Sequence, residues 1–177
     1  GDITLLADIA VRALPDADVE IMGSVAAPAN SILRDVTITS EETDTSLLTI
    51  GGNGVHVSGC TFNGEFGSNL TGVTVDVDAT QPSTIESCIF TNLLDGISVG
   101  GALPHVRHCQ FIGIGGAAIL LLPEADFSSD SIPGRGLNGW NDFSQLGEGL
   151  AIANQSASAI SAQWNEWGTE DPAALES

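Results

Sequence analysis

Val57-Ser58-Gly59-Cys60-Thr61-Phe62 returns as Ile85-Glu86-Ser87-Cys88-Ile89-Phe90 and again as Val106-Arg107-His108-Cys109-Gln110-Phe111. Fainter copies precede it (Leu33 to Ile38) and follow it (Trp140 to Phe143, Trp164 to Trp167). Aligned on the fourth residue, the copies give the column Val36, Cys60, Cys88, Cys109, Asn141, Asn165, with steps of 24, 28, 21, 32 and 24 residues. Two places on stands an apolar column: Ile38, Phe62, Phe90, Phe111, Phe143, Trp167. Five of the nine aromatic residues fall in that column, which argues against coincidence. Units this short cannot bury a face alone and must stack on their neighbours.

Inside each copy the period is two, with Cys and Phe on one side and polar residues between them, which reads as strand. A second strand-like run follows each copy: Leu47–Ile50, Val73–Val75, Ile97–Val99, Ala118–Leu120 and Leu150–Ile152. Strand, bend, strand, turn, strand is one winding of a parallel β-helix. The residues at the bend include Asp35, Gly59 and His108, which tolerate the positive φ of a tight corner. Trp140 and Trp164 fit that position poorly, so the last two windings are the weakest part of the alignment.

The repeat resembles that of the right-handed parallel β-helix (pectin-lyase-like) superfamily. The ending Asn165-Glu166-Trp167-Gly168 is similar to the Asn-x-Trp-Gly motif that closes many bacterial extracellular members. The likeness spans residues 31 to 172. It implies an all-β, single-stranded right-handed solenoid of about seven coils, and it says little about activity. Members of the superfamily include lyases, hydrolases, tailspikes, adhesins and non-catalytic surface proteins.

One domain over 1–177 is expected, with 31–172 as regular coils and 124–139 as a long loop. Residues 1–30 read as a degenerate first coil or a cap, and Ala7 to Leu14 as a short capping helix is the alternative. Twenty-one glycines and no tyrosine or lysine suit a turn-rich β chain. Seven windings make a rod roughly 30 Å long.

A net charge of −19 repels phosphate backbones and anionic lipid, so neither nucleic acid nor membrane insertion is expected. The same charge is explained by solubility, by adaptation to salt or by a cation-linked role. Cys60, Cys88 and Cys109 share one inward column. Their Cα spacing of roughly 4.8 Å permits a disulfide, but parallel side chains suit buried free thiols better. No transmembrane run or leader is visible, and the chain reads as a mature or excised piece of an exported protein, extracellular or at the cell surface.

Candidate chemistry is sparse. The resemblance implies a basic residue for proton abstraction in lyase-type members. With no lysine, that role falls to Arg34, Arg107 or Arg135, and the best constellation is His105, Arg107 and His108 with Glu86 one coil away. The plainer reading makes Glu86 and Arg107 an exposed ion pair between coils. Calcium, the one ion considered where no other cofactor is expected, has two acidic turns to choose from: Glu41, Glu42 and Asp44, or Asp126 and Asp130. Both also read as solvated turns. Trp140, Trp164 and Phe127 are candidates for stacking on a polysaccharide, and the two tryptophans equally read as covering the end of the rod. The leading expectation is a non-catalytic surface module, structural or adhesive, with glycan contact. The alternatives are a polysaccharide lyase or hydrolase, and a fibre subunit associating through its coil ends.

Overall fold

The computed structural model describes residues 2–14, 17–41, 46–65, 67–128, 137 and 139–168. Every strand pairing is parallel, and the strands form three ladders. The first face holds seven strands: Ile3–Thr4, Val25–Ala27, Ser46–Ile50, Thr71–Val75, Asp95–Val99, Ala117–Leu121 and Leu150–Asn154. The second holds five: Ala10–Arg12, Ile32–Arg34, His56–Ser58, Thr84–Glu86 and His105–Arg107. The third holds six: Glu20–Met22, Thr37–Thr39, Thr61–Asn63, Ile89–Thr91, Gln110–Ile112 and Asp142–Gln145. The chain visits the faces in that order and repeats, so each strand inside a ladder pairs with the strand one winding before and one winding after. This is an all-β parallel solenoid.

Stacking of like residues builds the interior. Phe62, Phe90 and Phe111 are in register. Their rings lie 4.9 and 4.8 Å apart at interplanar angles of 12° and 8°. Phe143 and Trp167 extend the pile at 5.1 Å each, despite a register shift between Gln110 and Ile112. Ile38 and Ile21 continue it in the other direction. The first-face glycines make room for this pile. A Cβ on Gly96 would stand 2.5 Å from the Ala118 carbonyl oxygen and 2.7 Å from the Phe111 ring, and one on Gly72 would meet Gly96 and Phe90 in the same way.

The bend between second and third faces is left-handed in six successive windings. Asp35, Gly59, Ser87, His108, Trp140 and Trp164 have φ of 57°, 64°, 54°, 53°, 56° and 62°. The tryptophans therefore adopt the corner that their residue type disfavours, beside Gly139, Asn141 and Asn165, which are hydrogen-bonded to neighbouring windings. At the opposite end, Ala10–Arg12 is a strand paired with Ile32–Arg34, so the segment proposed as a capping helix is part of a first winding.

Candidate functional site

On the second face the middle residue of each strand points inward and the flanking two face solvent. The outer rows run coil by coil through Ala10, Ile32, His56, Thr84 and His105, and through Arg12, Arg34, Ser58, Glu86 and Arg107. The left-handed corner lies directly beside the second row. In an acidic chain, all the described arginines and histidines thus lie on this face or, for His108, on its corner.

His105, Arg107 and His108 are exposed and close in sequence, and Glu86 is drawn to Arg107. The guanidinium donates from Nε to Glu86 Oε2 at 2.8 Å and brings Nη2 to 2.7 Å from the same oxygen. The other carboxylate oxygen, Oε1, lies 3.0 Å from His56 Nε2, a residue that repeat-based reasoning overlooked. That nitrogen is buried and has no hydrogen-bond partner of acceptable geometry. Glu86 is bracketed by neighbours on both sides, which leaves it poorly placed as an acid or base toward a ligand. Arg107 is half exposed, and screening by water keeps such a pair weak.

Trp140 and Trp164 occupy the corner in the last two windings and are 65 % and 62 % exposed. Their ring centroids lie 5.8 Å apart with the planes inclined at 37°, so one coil spacing separates two aromatic surfaces open to solvent. Phe127 does not join them. It is 8 % exposed and packs in the core, which corrects the expectation that it offers a ring to a ligand. The cause is that the start of the long loop continues the stack: Asp126 bridges to Ala102, and its N–H donates to the Gly101 carbonyl.

Beneath the tryptophans lies a buried amide ladder. Asn141 is fully buried, and its Oδ1 accepts from Cys109 N–H at 3.0 Å. Its Nδ2 donates to the Val106 carbonyl and to Asn165 Oδ1. Asn165 Oδ1 also accepts from Asn141 N–H, while its Nδ2 donates to the carbonyls of Leu137 and Ala162. These amides hold the corners from which Trp140 and Trp164 project. Gly168 has φ of 72° and packs against the Ser144 backbone, where a Cβ would meet Cα at 2.8 Å.

In the earlier windings thiols take the same column. Cys60, Cys88 and Cys109 are free and buried. The thiol ladder itself raises the pKa of Cys60, through Cys88, with burial adding to it. Cys88 is raised as well, by Cys109 first. Each thiol donates to backbone carbonyls, Cys109 to those of Arg107 and Ile85.

Asp126, a calcium candidate, accepts from Ser128 N–H at 2.8 Å and from its hydroxyl at 2.9 Å, contacts that lower its pKa. Glu41 is an exposed turn residue. Its proposed partners Glu42 and Asp44, like Asp130 and Arg135, lie outside the described residues. Among the described residues no group of three or more His, Cys, Asp or Glu is placed to hold a metal ion. No helix among them is long and apolar enough to cross a membrane.

Residues 14–130 match a family model described as right-handed beta helix region. No curated protein and no solved structure matches the chain.

Proposed function

The chain belongs to the right-handed β-helix family, and from that premise we propose that it is a non-catalytic structural module of an exported or cell-surface protein that contacts glycans through Trp140 and Trp164. The observation behind this reading is the exposed aromatic pair on left-handed backbone. Large apolar side chains in a strained conformation and open to water bury little surface in the folded chain, and such features concentrate at binding sites. Two ring faces one winding apart suit consecutive sugars of a chain laid along the rod axis, each stacking its apolar side on an indole.

A glycan array with the intact protein tests this. Retention of a set of polysaccharides is expected, with loss in Trp164→Asn, a substitution chosen because Asn accepts positive φ and spares the corner. An array with no retained glycan, or one unchanged by the substitution, sinks the reading.

A second reading, end-to-end self-association, is favoured by the first winding. Ile3, Leu6, Ile9, Leu14, Val19 and Met22 make up half of the twelve exposed large hydrophobics among the described residues, and all lie in that winding. The same winding presents the edge of all three ladders. Edges of this kind template the addition of further strands.

A further inference from the structure

The outward row Arg12, Arg34, Ser58, Glu86, Arg107 treats its cations differently at its two ends. Arg107 faces Glu86 across one coil spacing and is neutralised. Arg12 faces Arg34 directly, and the next residue along is Ser58. Among the described residues neither Arg12 nor Arg34 makes an ion pair, in a chain with 23 acids and 4 bases. Like charges directly opposite on neighbouring strands repel, and an anion seated between them would relieve the repulsion. Both arginines line an open cavity of about 740 Å³, with Ala13, Leu14, Ala17, Asp18 and Asp35.

We propose that this cavity is a binding site for an organic carboxylate, held by the guanidinium groups of Arg12 and Arg34. The planar fork of each arginine matches the two oxygens of a carboxylate, and two forks side by side give it up to four charge-assisted bonds. Asp18 and Asp35 share the cavity, so a dianion such as phosphate meets more repulsion there than a monoanion does. Leu14, largely exposed on the wall, gives the body of an organic acid an apolar surface that a bare inorganic ion has no use for. The site is built from the first two windings and the aromatic pair from the last two, so the two stand or fall separately.

The test follows the arginine Nε–H signals of the full chain by NMR during titration with acetate, glucuronate, glucose and inorganic phosphate. Acetate and glucuronate should shift the Arg12 and Arg34 signals saturably and leave Arg107 in place. Glucose should shift none, and phosphate should bind more weakly than either carboxylate. Equal affinity for acetate and glucuronate marks a site for free small acids, and tighter glucuronate marks an acidic sugar. Arg34→Gln should lose about tenfold in affinity, the worth of one charge-assisted hydrogen bond, and Arg12→Gln serves as a second probe of the same fork. Asp35→Asn, which keeps a residue tolerant of positive φ, should tighten binding, and Trp164→Asn should leave it unchanged. A uniform response of every arginine to every anion, no saturable shift, or full affinity in both glutamine variants would overturn the site.

Discussion

Cys60 and Cys88 show how one column of side chains sets chemical behaviour. Each thiol lies beside another thiol and away from water, so the charged thiolate is disfavoured in the folded state. Their folded pKa values are raised above the unfolded one of about 8.5. The stability they confer is therefore complete below that pH and declines as pH rises beyond it, because only the unfolded chain ionises. The expected loss is about 1.4 kcal/mol per thiol for each pH unit. Urea unfolding at pH 8 and pH 10 checks this, and iodoacetamide should label neither thiol until the protein unfolds. Asp142 works in the opposite sense: hydrogen bonds led by the Ser144 hydroxyl lower its pKa, so its contribution is lost as pH falls through the acid range. The corner tryptophans show how tertiary structure overrides residue preference. Residue type alone argues against Trp at positive φ, and only the hydrogen bonds of Gly139, Asn141 and Asn165 to neighbouring windings reveal why Trp140 and Trp164 accept it, at about 1–3 kcal/mol each.

Within single elements, the ladders were legible to the degree that like residues recur. Phe62, Phe90, Phe111 and Phe143 mark their column openly, because one residue type answers one repeated environment. The Glu86–Arg107 contact follows from the same alignment. His56 does not, since it pairs in register with Thr84 and reaches Glu86 on a diagonal that a column-by-column reading omits. Phe127 was legible as an aromatic residue but not as a buried one, for its stretch has no counterpart in the other windings to reveal its direction. Nor did the unpaired arginines stand out, because Arg12 lies in the degenerate first winding. The amide ladder yields a test of the corner element. Asn141→Ala removes the acceptor for Cys109 N–H and the donor to the Val106 carbonyl, leaving buried polar groups without partners. A loss of about 2–4 kcal/mol is expected from two such groups, measured by chemical denaturation. Asn165→Ala, in a partly exposed winding, should cost less.

For the molecule as a whole, charge and exposed edges act against each other. The first winding offers apolar surface and the edge strands of all three ladders, while a net charge of −19 pushes copies apart. Salt shortens the reach of that repulsion to about 3 Å at 1 M and leaves apolar contact in place. Light scattering at rising protein concentration should therefore report end-to-end growth in 1 M salt and much less in 0.05 M. A monomer under every condition removes the self-association reading. The steps between successive corners range from 21 to 32 residues, yet Phe62, Phe90, Phe111 and Phe143 still meet ring to ring. The extra residues of the longest step add Phe127 and Leu137 to the core without breaking the pile of rings. Such a scaffold can acquire, lengthen or discard surface ornaments one at a time, because no winding has to measure the length of the one beneath it.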